Sequence, residues 1–366
     1  MRDAARALVP VLAARARAAE GAGEVPADTI AAFRAAGLTR VLQPRRFGGL
    51  GGPFALFSEI AEILAEGCAA SAWVYAVFGE HAWIVANFPE PAQRAVWEAT
   101  PEALVCASLV PRNVAVPAPG GWVLSGVFPF ASGAGHADWA ILGALCDGEA
   151  RYLLAPMRAL RRADDWQVLG MRATGSTALL AEALFVPEEH TVALEALLTG
   201  KAPGRAVHPD WALLRAPRWL LVPYSLPSVA IGLGVGALAE AAAVLRARRA
   251  RGTVALADSE FVQVELGRAA AEVAAARAVL HQGRTAAEAE AAGPDPAARL
   301  AAHRAGMAFA VELVRRAVER LCGLCGTEMV RDGSALQGRL RDILTIATHG
   351  VVSPREAFGE AGRGTL

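Results

Sequence analysis

The 366-residue sequence is almost without lysine, Lys201 standing alone among 36 basic residues. It also lacks net charge, because 36 acidic residues match the basic ones. That balance argues against a partner held mainly by charge, nucleic acid above all. A hydrophobic content of 54% argues equally against a disordered chain. Arginine stands where lysine is missing, and with the heavy use of alanine this reads as coding bias without functional weight. The stretch MRDAARALVPVLAARARAAE carries charges throughout and no apolar run of the kind a secretory signal needs. Five cysteines without such a signal predict reduced thiols and a cytoplasmic location. One uncharged run, WLLVPYSLPSVAIGLGVGALA (219–239), calls for a membrane test. Pro223, Tyr224, Ser225 and Pro227 crowd its first half and charged helix follows, which predicts a buried central helix and not a bilayer span.

Several catalytic signatures are missing too. The sequence has no GxSxG, HExxH or Walker loop. GLGVGA (232–237) has alternating glycines, but no strand precedes it and no acidic residue follows at the distance a dinucleotide loop requires. Close helix packing through small residues accounts for it. Cys322 and Cys325 form a CxxC with no second Cys or His pair at zinc spacing, and in helical texture. Buried helix cysteines and no metal site are the expectation.

What is present changes texture twice. Residues 1–108 read as an N-terminal helical domain: Val25-Pro26-Ala27-Asp28 places proline at a helix start, Gly37 closes that helix, and PRRFGGLGGP (44–53) is a loop. Residues 109–195 read as a β domain, a compact antiparallel sheet or small barrel built from WVLSG, WAILGAL, YLLAP, WQVLGM and ALLAEALFVP. Residues 196–366 open with a polar connection and continue as a four-helix-like bundle. In it Leu266, Ala270, Val273, Ala276 and Leu280 form one apolar stripe, and AAGPDP (291–296) breaks two helices. The fold class is α+β. Of the histidines, His190, His208, His281 and His303 fall in loops or on polar helix faces and are expected to be solvated. His81, His136 and His349 lie in apolar company. Taken singly, each reads as a core residue. Together the residues predict a helical–β–helical enzyme with a pocket lined by aromatics and histidine.

Three stretches in order, GGWVLSGVFPFASGAGHADWAIL (120–142), DWQVLGMRATGS (165–176) and ALFVPEEH (183–190), resemble the central domain of the acyl-CoA dehydrogenase superfamily. SAWVYAVFGEHAW (71–83), QGRLRDILTIATHG (337–350) and PRRFGGLGG (44–52) are similar to its branch of two-component flavin-dependent monooxygenases, which includes 4-hydroxyphenylacetate and polyketide aromatic hydroxylases. The resemblance implies an N-terminal helical domain, a middle β-barrel, a C-terminal four-helix bundle and a homotetramer, with the flavin ring between barrel and bundle. It places Ser132 in hydrogen-bond contact with flavin N5, with Phe130 and Ala131 beside it and His136 as a turn residue. It makes Met171, Arg172, Thr174 and Ser176 candidates for the ring edge and ribityl chain, and Arg248 and Arg251 for the flavin phosphate across a subunit boundary.

The dehydrogenases of the superfamily carry a catalytic glutamate after an Arg-Asp pair. Here Arg341-Asp342 is followed by ATHGVV, and His349 stands at that place. An imidazole suits removal of a phenol proton, or donation of one to a flavin peroxide. By the same resemblance His81 orients the substrate hydroxyl, and Trp73 and Trp83 shape an apolar wall for a flat substrate. The implied activity is that of an oxygenase component that takes reduced flavin from a separate NAD(P)H-dependent reductase. It would add O2 to form a C4a-hydroperoxyflavin and hydroxylate an aromatic or polyketide-like small molecule. Reduced FMN (FMNH2) is favoured over FADH2 because no adenine-specific feature is visible. The rival readings are an acyl-CoA dehydrogenase-like flavoenzyme with a displaced base and a flavin-binding homologue without turnover.

Overall fold

Glycine and proline punctuate the first hundred residues into helices. In the computed structural model, which describes residues 1–248, 256–291, 293 and 299–365, α1 (Arg2–Ala22) ends at Gly23 in a left-handed conformation. The helix α2 (Ala27–Ala35) starts behind Pro26 and stops before Gly37, also left-handed. Then come α3 (Phe54–Gly67), α4 (Ala69–Ala86) and α5 (Glu90–Trp97). Every residue of α4 is buried, so this helix is the axis of the N-terminal domain.

The sheet contains β1 (Val105–Ala118), β2 (Gly121–Phe128), β3 (Trp139–Cys146), β4 (Glu149–Pro156), β5 (Arg161–Arg162), β6 (Leu179–Pro187) and β7 (Thr191–Ala193), in the order β5-β6-β2-β1-β3-β4-β7. Among the described residues, only β1 and β3 pair in parallel. Alternation aims Trp122, Leu124 and Phe128 of β2 inward, where they meet Ala140, Leu142, Leu153, Leu179 and Val186 in one cluster. Although β4 and β6 are not neighbours in the order, they approach each other, so the sheet curls around that cluster. Its end strands β5 and β7 do not pair, which leaves the barrel incompletely closed.

Two stretches differ from the sequence reading. WQVLGM (166–171) is irregular, not a strand. Conversely, Val105–Ser108 opens β1 inside the stretch expected to be helical. Pro111 and Pro117 disguise that strand. The first sits in the register shift between Ser108 and Asn113, and the second near the strand's end, where a missing N–H is tolerated.

Three short helices, α6 (Leu194–Leu198), α7 (Gly204–Val207) and α8 (Arg218–Leu221), lead to α9 (Leu226–Ala247), α10 (Glu260–Ala291), α11 (Leu300–Cys325), α12 (Ala335–Ile346) and α13 (Pro354–Arg363). With its lead-in, α9 is long and apolar enough to cross a membrane, yet it packs against α3, α4, α10, α11 and α12. Its alternating glycines serve that packing: a Cβ on Gly232 would lie 2.0 Å from the Glu62 carbonyl oxygen, and one on Gly236 2.4 Å from that of Glu66. On α10 the buried stripe is Val262, Ala269, Val273, Ala276 and Leu280, with Ala270 exposed instead of facing inward. Cys322 and Cys325 are buried on α11, and burial pushes the Cys322 thiol up to about 12.

Candidate active site

Two irregular segments of the middle domain are zipped together beside α4. Ala131 N–H donates to the Thr177 carbonyl at 3.0 Å and Gly133 N–H to the Thr174 carbonyl at 2.8 Å. Between these bonds Ser132 Oγ lies 2.6 Å from Ser176 Oγ, which lies 2.6 Å from Thr174 Oγ1. From α4, Trp73 Nε1 donates to Ser132 Oγ at 3.2 Å. Gly133 has φ 72, and a Cβ there would sit 2.7 Å from the Phe78 ring, so the close approach to α4 needs glycine.

Among the described residues, Phe130 (φ 64), Asp147, Met171 (φ 57) and Ala183 are the non-glycine residues with left-handed backbone. Asp147 precedes Gly148 in the β3–β4 turn, and Ala183 lies at the irregularity between β2 and β6. Phe130 and Met171 have no such local cause, and backbone strain of this kind gathers at ligand sites. The Phe130 ring stands 65% exposed, edge-on to Trp166 with centroids 6.3 Å apart. Met171 is held from the bundle. A Cβ on Gly170 would lie 2.1 Å from the Arg341 carbonyl oxygen of α12, Arg341 Nη1 donates to the Leu169 carbonyl at 3.0 Å, and Met171 N–H donates to Asp342 Oδ1 at 2.5 Å. Burial raises the Asp342 carboxyl to about 6, against the opposing pull of the Met171 bond.

His349 follows α12 and sets its ring edge-on to Trp73, centroids 5.3 Å apart. Its Nδ1 accepts the Val351 N–H at 3.3 Å. The neutral ring therefore carries its proton on Nε2. His81 is the reverse. Its Nδ1 lies 2.8 Å from the Val105 carbonyl, which can only accept, so the proton is on Nδ1 and Nε2 is a bare acceptor. Burial lowers both imidazoles below the usual 6.5, while the nearby Glu80 carboxylate acts in the opposite sense. Glu80 is itself buried, accepting from Arg218 Nη2 at 3.0 Å and from Ser225 Oγ at 2.7 Å. Sequence reasoning passed over Glu80 and Arg218. A carboxylate inside the apolar helix run AVFGEHAW was the available signal, since such a charge needs a buried partner.

The other expected site residues make separate contacts within this chain. Trp83 is core, donating from Nε1 to the Leu213 carbonyl at 3.3 Å. Arg172 is exposed and donates to the Val168 carbonyl at 2.7 Å. Arg248 donates to the Cys325 carbonyl at the end of α11, and Arg251 lies outside the described residues. His136 is a turn residue, its Nε2 donating to the Val25 carbonyl at 2.6 Å. His303, expected to be solvated, is instead buried and bonded through both nitrogens, because Tyr224 and Glu290 converge on it from α10 and the lead-in to α9. His281 reaches the buried Glu62 carboxylate at 2.9 Å. An open groove of about 1330 Å³ runs past Glu24, Arg162, Asp165, Trp166 and Arg172, but Trp73, His81, Ser132 and His349 do not line it.

The families described as "Acyl-CoA dehydrogenase, N-terminal domain" and "Acyl-CoA dehydrogenase, C-terminal domain" match residues 1–99 and 224–354. The FADH(2)-dependent resorcinol hydroxylase, oxygenase component, of Rhizobium sp. (strain MTP-10005) is 33% identical over 355 residues, covering 91% of this chain and 86% of that one. The chain belongs to the flavin-dependent monooxygenase oxygenase components of the acyl-CoA dehydrogenase superfamily. The p-hydroxyphenylacetate 3-hydroxylase oxygenase component of Acinetobacter baumannii is 28% identical, covering 93% of this chain and 83% of its own. Among solved structures, the 3-HSA hydroxylase of Rhodococcus sp. RHA1 superposes with TM-score 0.92 at 26% identity, over 98% of this chain and 94% of that one. XiaF from Streptomyces sp., in complex with FADH2 and glycerol, superposes with TM-score 0.90 at 26% identity, over 100% and 94%. This oxygenase component is thus an oxidoreductase that works with reduced flavin. Its residues are compatible with such a group: Phe130 presents an exposed ring on strained backbone, and the buried Ser132 lies two residues on.

Proposed function

We propose that the protein hydroxylates a small neutral phenol, with His81 accepting the phenol proton and His349 donating one. The opposite tautomers of these two histidines, His81 buried in α4 and His349 in the more open turn after α12, carry this reading. Both hydrogen bonds leave Nε2 as the working atom, bare on His81 and protonated on His349. The assignment narrows the sequence reading, in which His349 was base or acid: its Nδ1 is committed to Val351 N–H, so the neutral ring is a donor. A phenol whose proton moves toward His81 gains electron density at its ring carbons, where oxygen enters. Because burial keeps both rings neutral below the usual histidine range, the pair is ready at neutral pH without a proton from solvent. Arg218, the cation that acts on both histidines, is already paired with Glu80, which supports a substrate without a carboxylate.

Bound reduced flavin supplies the two electrons that let dioxygen place one atom on the ring and leave the other as water. Ser132, Phe130, Ala131 and Met171 would hold it, with Ser132 as the residue that would meet N5. The FADH2 in the names of two relatives supports FAD, against the expectation of FMN. The flavin arrives from a separate NAD(P)H-dependent reductase, and a homotetramer is the working form. Buried free thiols support a reducing, cytoplasmic setting.

The test mixes the protein anaerobically with reduced FAD or FMN, then with oxygen and resorcinol, and measures products by liquid chromatography and mass spectrometry. A hydroxylated product is expected. No product from any neutral phenol, or bleaching of bound oxidised flavin by an acyl-CoA, would defeat the reading.

A further inference from the structure

The hydroxyls behind Ser132 have a fixed direction. An indole N–H can only donate and a carbonyl can only accept. Thr174 Oγ1 lies 2.7 Å from the Met171 carbonyl, so its single proton goes there. Ser176 must then donate to Thr174, and Ser132 to Ser176. At the other end Trp73 Nε1–H donates into Ser132 Oγ. The chain runs one way: Trp73, Ser132, Ser176, Thr174, Met171 carbonyl. All four side chains are buried, so no water competes to reverse it. Ser132 has spent its proton, and what remains on its oxygen is a lone pair.

We propose that Ser176 and Thr174 are positioning residues that fix Ser132 as a hydrogen-bond acceptor, and that this makes the site select the oxidation state of its flavin. The proposal rests on the reading that Ser132 meets flavin N5. Reduced flavin carries N5–H, a donor that complements the lone pair. Oxidised flavin has a bare N5, itself an acceptor, and two facing acceptors repel. The relay therefore favours capture of reduced flavin and release of the oxidised product, without any charged group at the ring edge. Thr174 and Ser176 act on the cofactor through Ser132, in place of the direct contacts the resemblance implied.

The test is equilibrium binding, separate from turnover. Oxidised FAD and, anaerobically, photoreduced FAD are each titrated into wild type, Ser176→Ala, Thr174→Val and Ser176→Thr, and the ratio of the two dissociation constants is compared. In Ser176→Ala the freed Ser132 proton turns toward bare N5, so the preference for reduced flavin falls about tenfold, a change of about 1.4 kcal/mol. That fall comes chiefly from tighter binding of oxidised flavin, and the potential of the bound flavin shifts accordingly. Thr174→Val gives a smaller change in the same direction, and Ser176→Thr restores the wild-type ratio. A ratio unchanged in both Ser176→Ala and Thr174→Val overturns the proposal. If Ser132→Ala also leaves both affinities unchanged, the placement of Ser132 at the flavin fails as well.

Discussion

His81 and His303 are equally buried, each 5% exposed, and each sits on a long helix. Their surroundings differ in one respect. His303 has both nitrogens occupied, with Tyr224 O–H donating to Nδ1 at 2.5 Å and Nε2 donating to Glu290 at 2.8 Å. His81 has one nitrogen bonded, to the Val105 carbonyl, and no partner for Nε2 among the described residues. A saturated imidazole ties α10, α11 and the start of α9 together. An imidazole left with a bare nitrogen is available for chemistry. Burial, then, does not separate a saturated histidine from one with a free nitrogen; the hydrogen-bond partners do.

The sharpest way to break this contrast is to remove each ring. Replacing His81 with Ala is expected to lower the rate of product formation about 10³-fold, within the range for a proton acceptor, with flavin affinity unchanged. If His81→Ala turns over normally, the base lies elsewhere.

Asp342 is a second buried acceptor, placed under Met171 with its carboxyl at about 6 against the ordinary 3.8. The fold holds the proton more tightly than the unfolded chain, so the stability that proton provides is present at low pH and lost as pH rises through about 6. Asn keeps an oxygen for Met171 N–H and has no charge to bury. Asp342→Asn should therefore stabilise the protein by ~3 kcal/mol at pH 8 and by nothing below the ordinary carboxylate range, as measured by urea unfolding. An equal gain at both ends would show that the charge is not the cause.

Taking His303 to Leu leaves the Tyr224 hydroxyl without its acceptor and Glu290 with Arg299 alone. Stability should fall by about 2 kcal/mol, with turnover little changed at a temperature where the variant is folded. A kinetic defect as large as that of His81→Ala would erase the distinction between the two sites. Smaller in size is the pH effect. With His81 and His349 held below 6.5 by burial, kcat should stay level through pH 6.5 and fall only beneath it. An acid limb at or above 6.5 would mean that the neutral form of His81 is not what matters, or that Glu80 outweighs burial in its effect on the ring. Smallest in its effect on the reaction is Trp83→Phe, expected to leave turnover untouched while the lost volume and the lost donor to the Leu213 carbonyl cost about 2 kcal/mol of stability.

Much of this was legible in the chain. The ordered stretches around Ser132, Met171 and Arg341-Asp342 pointed to the superfamily, and the histidine in place of a catalytic glutamate pointed to an oxygenase. The glycines of GLGVGA were rightly read as packing, as Gly232 against the Glu62 carbonyl shows. The β1 strand was hidden because proline is a breaker everywhere except at bulges and ends, and a sequence does not mark its bulges. WQVLGM looked like a strand because its apolar residues alternate, but Gly170 and Leu169 answer to Arg341, far along the chain.

The sequence by itself determined the superfamily, the order of helices, sheet and helices, and most of the element types, because periodicity and residue chemistry are local properties. Only tertiary structure decided what each polar side chain faces. The tautomer of His81 depends on a carbonyl 24 residues away in β1, and the donor direction at Ser132 on a tryptophan 59 residues back in α4. The saturation of His303 depends on a tyrosine 79 residues earlier. A hydrogen bond assigns its proton by what lies across from it, and that neighbour exists only once the chain has folded.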